Sequence, residues 1–409
     1  MKFRDYQLDL ISKGVNIIRS CGFVYLAMEV RTGKTLTSLG IASLLRVHSV
    51  LFITKKKAIS SIIDDFYKLN PEYSIEVINY ESLHKIKQTG WDLIICDEAH
   101  TLGAFPKPNK RAKQVKEIIK RSNPFVILLS GTPTPESYSQ MYHQVFGIPN
   151  NPFSHCKNFY AFSRKYINVK QKYINSIYIR DYSDGLKTIL DDMSPYKLNY
   201  SQKMAGFKTT IEENVLYVEL SSVCQSLIKK IKKDRVVQGD EEIILADTGV
   251  KLMSKVHQLC SGTVKFESGN SMVVDNNKAK FIKKYFKNKK IAIFYKFKEE
   301  LNAIKSIYKD MITSDLEEFN STKKSIALQI VSGREGISLK KALALVYYNI
   351  DFSATSYWQS RDRMTTKDRN SNEIYWIFSK GGIEKDIYKT VVKKKDYTLT
   401  HFKRDLLDL

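Results

Sequence analysis

The sequence predicts an α/β fold of two parallel-sheet lobes, residues 1–200 and 201–409, and three observations lead there. Short β-branched runs alternate with amphipathic stretches through the first part of the chain. A second set of such runs appears after residue 290, and a polar stretch lies between the sets. The runs are almost continuously apolar, as strands covered by helices on both faces must be. At about 150 residues per domain, a chain of 409 residues has room for roughly two to three such units.

Taken in order, FVYLAM (Phe23 to Met28) reads as a buried strand, followed by a glycine-containing turn and a helix from about Lys34. SVLFIT (Ser49 to Thr54), SIEVI (Ser74 to Ile78), DLIICD (Asp92 to Asp97) and FVILLS (Phe125 to Ser130) repeat the strand signal. The later set is IAIFY (Ile291 to Tyr295), SIALQIV (Ser325 to Val331), ALVYYNI (Ala344 to Ile350) and EIYWIF (Glu373 to Phe378). Between the sets, Pro133 to Gln258 is aromatic-rich and reads as mostly helical or irregular, with Asp191 to Thr210 as the linker.

Composition bounds the function. With 43% hydrophobic and 27% charged residues the chain can build real cores, which excludes global disorder. Lys plus Arg is 66 against 43 Asp plus Glu, a formal charge of +23. That excess implies an extended anionic partner, nucleic acid first. No apolar run approaches the ~18 residues of a membrane span, and MKFRDYQLDL lacks the apolar core of a secretory signal. The five cysteines (Cys21, Cys96, Cys156, Cys224, Cys260) are widely spaced with no CxxC pair, which supports neither a disulfide framework nor a zinc site. A reduced, soluble, cytoplasmic protein is the expectation.

Two motifs carry chemistry. MEVRTGKT (Met28 to Thr35) follows a predicted strand and opens a predicted helix, the context of a phosphate-binding loop. Backbone N–H groups and the helix N-terminus would cradle the phosphates of ATP, Lys34 would reach the β- and γ-phosphates, and Thr35 would hold Mg2+. Met28 stands where the usual pattern has glycine. DEAH (Asp97 to His100) closes the DLIICD strand. Asp97 suits a magnesium ligand and Glu98 a water-activating base.

The order GKT, DEAH, then SGTPT (Ser130 to Thr134) resembles a superfamily 2 helicase or translocase, and details resemble its Swi/Snf-like branch. Phe3-Arg4-Asp5-Tyr6-Gln7 is similar to that branch's opening motif, which implies nucleotide contacts from Arg4 and Gln7, the glutamine reading adenine. The branch's loop typically reads DEMGLGKT. A non-glycine at position 28 is therefore normal there and Glu29 matches, while Arg31 replaces a usual glycine. Thr32 and Gly33 complete the implied loop ligands. Ser130, Gly131 and Thr132 fall in the motif that links the ATP site to the nucleic-acid track. INYESL (Ile78 to Leu83) resembles the family's approach to the acidic motif.

The resemblance runs on through VKLMSKVHQLCSG (Val250 to Gly262), IAIFYKFKEEL (Ile291 to Leu301), SGREGISL (Ser332 to Leu339), WQSRDRM (Trp358 to Met364) and GGIEKDIYKTVVKKK (Gly381 to Lys395). It implies two RecA-like lobes with the ATP site in the cleft between them, Gly336 and Gln359 as nucleotide contacts, and Arg363 as an arginine finger. The family's second arginine would fall at Thr366, with Lys367 and Arg369 close by. Nucleic-acid contacts are implied for Lys55 and Lys56 in TKKKAIS (Thr54 to Ser60) and for Ser332. KPNKRAKQVKEIIKR (Lys107 to Arg121) carries seven Lys or Arg against one Glu and adds Lys107, Lys110 and Arg111. No base-reading module is evident, so backbone tracking with little sequence specificity is expected.

The expected protein is an ATP- and Mg2+-dependent motor on DNA. The Lys-, Ile-, Asn- and Tyr-rich vocabulary points to a phage or virus, hence host-cell cytoplasm and a role in replication, recombination or branch migration. Three alternatives stand beside it: a double-stranded DNA translocase that does not separate strands, a non-catalytic nucleic-acid-binding scaffold, and an ATP-dependent regulator of protein partners. His84, His143, His155 and His257 lack ligand spacing. Tyr138, Tyr142, Phe146, Phe159, Tyr160 and Phe162 read as helix core rather than base-stacking residues, and Lys229 to Arg235 as a solvated helix face.

Overall fold

The computed structural model describes residues 2–174, 177–287, 289–333, 337–366 and 369–393, leaving aside the side chains of 172–177. Among them are two units, Met1–Phe207 and Lys208–Leu409. All nine apolar runs read as strands form strands. In the first unit these are β1 (Phe23–Met28), β2 (Ser49–Thr54), β3 (Ser74–Asn79), β4 (Leu93–Cys96) and β5 (Phe125–Leu129). A hairpin follows, β6 (Lys170–Ile174) and β7 (Ile177–Asp181), and then β8 (Lys197–Tyr200). The main sheet is wholly parallel, in the order β3-β2-β4-β5-β1-β8.

Helices cover both faces. The helix α1 (Asp5–Cys21) places Leu10, Ile11, Val15 and Ile18 on one side, the spacing of a single buried stripe, and they pack under β1 with α2 (Lys34–Leu45). At about 1.5–3 kcal/mol per fully buried aliphatic side chain, that stripe is what holds α1 to the sheet. The two helices approach closely because a Cβ at Gly40 would lie 2.4 Å from Ile11. On the other face, the helix Lys110–Ser122 and the aromatic segment pack together. There Tyr142, Phe159 and Phe162 are core as expected, Phe146 packs against them, and Tyr138 and Tyr160 are exposed.

The stretch 191–210 read as the linker contains the boundary between the two units, after Phe207, but its first part is structured. β8 lies within it and pairs with β1, Tyr25 opposite Lys197 and Met28 opposite Tyr200. KLNY is too short and too polar to resemble a strand buried on both faces, and it need not, because it forms the sheet's edge. The segment from 133 to 258, read as mostly helical or irregular, also holds the β6–β7 hairpin and three further strands.

Those strands open the second unit: β9 (Thr210–Val218), β10 (Val236–Gln238) and β11 (Ile243–Leu245). β12 (Thr263–Lys265), β13 (Ser271–Val273), β14 (Ile291–Tyr295), β15 (Ile312–Thr313), β16 (Ser325–Gln329), β17 (Ala344–Tyr347) and β18 (Ser371–Ser379) follow. Six form a second parallel sheet in the order β15-β16-β14-β17-β18-β9. β9 escaped the sequence reading because TIEENVLYV carries two glutamates. One of them, Glu213, accepts from Trp376 Nε1 at 2.9 Å and from the hydroxyls of Tyr357 and Tyr388 at 2.8 Å, and it pairs with Arg361 at 2.6 Å. Deeper in this unit the Lys278 ammonium and the Glu384 carboxylate meet at 2.8 Å, with 1% and 0% of their side chains exposed. Among the described residues no helix is long and apolar enough to cross a membrane.

Candidate active site

The singled-out residues of the first unit gather at one edge of its sheet. In a parallel sheet the carboxyl ends of the strands are where loops converge on ligands. Here Lys34 follows β1, Lys55 follows β2, Asp97 follows β4 and Ser130 follows β5.

The loop between β1 and α2 is shaped by two left-handed residues. Gly33 has φ +81 and caps α2 without any side-chain acceptor, so the first helical N–H groups are left for a ligand. Arg31 has φ +67. The position where the resemblance expects glycine is thus one whose backbone favours glycine, and the arginine there costs about 1–2 kcal/mol of backbone strain. Bonds to the loop come from both sides. The Tyr6 hydroxyl donates to Thr32 O at 3.0 Å, and Gln7 Nε2 donates to Gly33 O at 3.4 Å while its Oε1 accepts from the Arg4 N–H. From the far side, Glu29 N donates to Tyr200 O and Glu29 Oε2 accepts from Gln202 N at 2.7 Å. Gln202 Nε2 reaches Val30 O at 3.0 Å, and Tyr200 stacks on Tyr6 at 4.6 Å. Arg4 reaches the Tyr6 hydroxyl.

The Cβ of an alanine at Gly33 would sit 2.5 Å from Gln7 Nε2, at a φ that alanine avoids. Gly33→Ala is therefore expected to destabilise the protein by about 1–3 kcal/mol and to weaken ATP binding. Thermal melting and nucleotide titration check this, and unchanged values for both would remove the packing role of Gly33.

Lys34 folds back across the loop, its Nζ 3.5 Å from Glu29 O and near Gly131, where a Cβ would approach it to 3.6 Å. The Asp97 carboxylate accepts from the Thr54 hydroxyl at 2.8 Å, and its backbone carbonyl accepts from the buried Tyr80 hydroxyl at 2.6 Å. Burial and the neighbouring Glu98 push the Asp97 carboxyl up to about 6, against Lys34 and Thr54. Burial works to raise Glu98 as well, but the His100 bond together with Lys34 and Lys55 outweighs it, and Glu98 is held below the usual carboxylate range. Its backbone is left-handed, φ +50, which turns the chain sharply out of β4.

The acidic motif and the turn after β5 are joined. His100 Nδ1 lies 3.2 Å from Glu98 Oε2 and 2.9 Å from Ser130 Oγ, and Thr132 N donates to Ser130 Oγ at 3.1 Å. His100, Thr54, Tyr80, Tyr200 and Gln202 were not assigned roles from the sequence. Thr54 becomes visible only once the β2–β4 register is known, and Gln202 only once β8 is.

The fit to ATP and Mg2+ rests on uncapped α2, on Lys34, and on Asp97 and Thr35 as oxygen donors at the same edge. Lys56, Lys107 and Lys110 are exposed and Lys55 half-buried. Arg111 pairs with Glu81 and lies over the Tyr80 ring at 5.5 Å. In the second unit Ser332 is exposed on the short helix Ile330–Gly333, and Gly336 and Lys367 lie outside the described residues. Gln359 and Arg363 are buried, with Arg363 Nε donating to Gln359 O at 3.0 Å. Arg369, near the expected second arginine, donates to Ala342 O and Leu343 O at 2.8 Å and to Ser371 O at 3.0 Å, so it clamps three backbone carbonyls.

The SNF2-related domain family matches residues 27–264, more than half the chain. No curated protein matches the sequence. The solved structures similar to it include a Sulfolobus solfataricus SWI2/SNF2 ATPase core in complex with dsDNA, at 17% identity and TM-score 0.43, covering 96% of this chain and 91% of that one. The Sulfolobus solfataricus SWI2/SNF2 ATPase core domain is similar at 18% identity and TM-score 0.42, covering 96% and 89%.

Proposed function

The chain belongs to the SNF2-related domain family and is a DNA-dependent ATPase; from that premise we propose that it couples ATP hydrolysis to movement along DNA. The observation that carries this reading is the bonded path Glu98–His100–Ser130–Thr132, which ties the hydrolytic carboxylate to a neighbouring loop of the same sheet edge. Lys34 and the uncapped N–H groups of α2 hold the β- and γ-phosphates. Glu98 accepts a proton from water as the water oxygen bonds the γ-phosphorus and the P–O bond to ADP breaks. Thr35 and Asp97 hold Mg2+, which when bound neutralises charge on the phosphate oxygens. The formal charge of +23, with Lys55, Lys56, Lys107 and Lys110 near the same edge, supports tracking of the phosphate backbone.

The test is ATP hydrolysis with and without single-stranded, double-stranded and branched DNA and RNA, beside Lys34→Ala. DNA is expected to stimulate hydrolysis, and the variant to lose about 10²-fold or more. Equal rates in wild type and variant would sink the reading. Duplex movement without strand separation is the second reading, favoured by the family branch. Triplex displacement without fork unwinding would select it, while unwinding or migration of forks and junctions would select a strand-separating role in replication or recombination.

A further inference from the structure

We propose that the second unit holds a phosphate-binding pocket at the amino ends of β14 and β16, which takes the phosphate of a nucleic-acid strand or of a free phosphate-bearing small molecule. The two strands pair in parallel, so their starts lie side by side. Lys289 stands two residues ahead of β14, and Ser325 opens β16. Between them is a cavity of about 210 Å³, lined also by Lys287, Tyr308, Lys323 and Lys324. A single water needs only about 10–15 Å³, so there is room for a larger guest. Ser332 lies beyond the other end of β16, and none of the lining residues is among those assigned to ATP or to the DNA track.

What lines this pocket is rich in hydrogen-bond donors that the protein itself leaves unspent. A lysine ammonium can only donate. Other lysines of the same region are committed: Lys283 Nζ donates to Ile307 O, Lys290 Nζ to Thr322 O and Lys341 Nζ to Asn320 O, each at 2.6 Å. Lys324 pairs with Glu318 at 2.7 Å. Among the described residues, the ammonium groups of Lys287, Lys289 and Lys323 have no acceptor. Asp310 is the one carboxylate in the lining. Three uncommitted positive charges against one negative favour an anion.

Two hydroxyls point the same way. Tyr308 ends the helix Lys298–Tyr308 and is 4% exposed, and its buried hydroxyl has no hydrogen-bond partner. A buried donor left unmet is costly, and the pocket that Tyr308 borders is where an acceptor can reach it. Ser325, 5% exposed, accepts from Ile291 N at 3.1 Å, and its own hydrogen has no acceptor among the described residues. A phosphate group supplies only acceptor oxygens, and charged oxygens make the stronger bonds to ammonium and hydroxyl donors. A metal ion does not fit this lining, because Ca2+ or Mg2+ needs about six oxygen ligands and would face the lysines with one carboxylate to hold it. Asp310 opposes an anion, so its removal tightens binding.

The experiment labels the tyrosines of the full chain as 3-fluorotyrosine and assigns the 19F signal of Tyr308 by its loss in Tyr308→Phe. Inorganic pyrophosphate and a single-stranded DNA oligonucleotide are titrated separately, each beside sodium chloride at matched ionic strength. The Tyr308 signal is expected to shift to saturation, and the titrant that moves it names the source of the phosphate. Lys289 and Lys323 are exposed, so Lys289→Gln/Lys323→Gln keeps the fold and reports binding. That variant is expected to raise the half-saturating concentration about ten-fold or more. Asp310→Asn is expected to lower it about two- to five-fold. The shift is expected to persist in Lys34→Ala, which sets the pocket apart from the ATP site. A Tyr308 signal that moves with neither titrant, or equally with sodium chloride, overturns the proposal. So does an unchanged titration in the lysine variant, weaker binding in Asp310→Asn, or loss of the shift in Lys34→Ala.

Discussion

Glu98→Gln is expected to lower kcat for ATP by about 10²–10⁴-fold while leaving ATP affinity within a few-fold. The substitution keeps the shape of the side chain, and its amide oxygen keeps the His100 bond, so the sharp turn at φ +50 and the link to Ser130 survive. What it loses is an ionised oxygen able to take a proton from water. In the proposed mechanism the phosphates are bound elsewhere, by Lys34 and the start of α2, so binding and chemistry are expected to separate. Single-turnover hydrolysis beside equilibrium nucleotide binding reads the two quantities. A variant that hydrolyses at the wild-type rate would move the role of base to another residue.

The largest stability effect is expected in the second unit, at Lys278 and Glu384. Glu384 also accepts from the Ser379 hydroxyl at 2.9 Å, and Lys278 also donates to Tyr348 O at 3.3 Å. Glu384→Leu leaves a buried ammonium with a single carbonyl acceptor, and a loss of about 3–5 kcal/mol is expected. Lys278→Met alone strands the carboxylate at similar cost. The double variant Lys278→Met/Glu384→Leu removes both charges and should recover most of the loss, because burying the pair carried its own desolvation penalty. Denaturant unfolding of the three variants checks this. Single variants within about 1 kcal/mol of wild type would mean that water reaches the pair.

The same pair explains part of what could not be read from the chain. Lys278 and Glu384 sit among other charged residues, in NKAKFIKK and GGIEKD, and nothing in such strings separates a buried charge from a solvated one. The interior strands were legible because burial on both faces forces continuous apolar runs. β8 and β9, at the sheet edges, escape that pressure and carry Asn199 in one case and Glu212 and Glu213 in the other. For the site, Lys34, Thr35, Asp97 and Glu98 could be named from motif and strand ends, since a phosphate loop and an acidic strand end constrain their residue types. His100 was visible in DEAH, but its partner Ser130 comes from the neighbouring strand, and only the β4–β5 pairing brings them together. Arg31 has a left-handed backbone, which explains the glycine usual at that position; nothing in the structure explains the arginine.

The brace on the phosphate loop has a consequence for how the protein is made. Glu29 and its backbone partner Gln202 are 173 residues apart, and β8 pairs directly with β1. A ribosome adding about 5–20 residues per second delivers the loop roughly 10–35 s before its brace. Throughout that interval the emerging sheet has β1 as an open edge, the kind of surface that recruits strands from other chains. The first unit cannot finish folding as its early strands appear. It waits for a short, polar, unremarked piece of chain to arrive and close it.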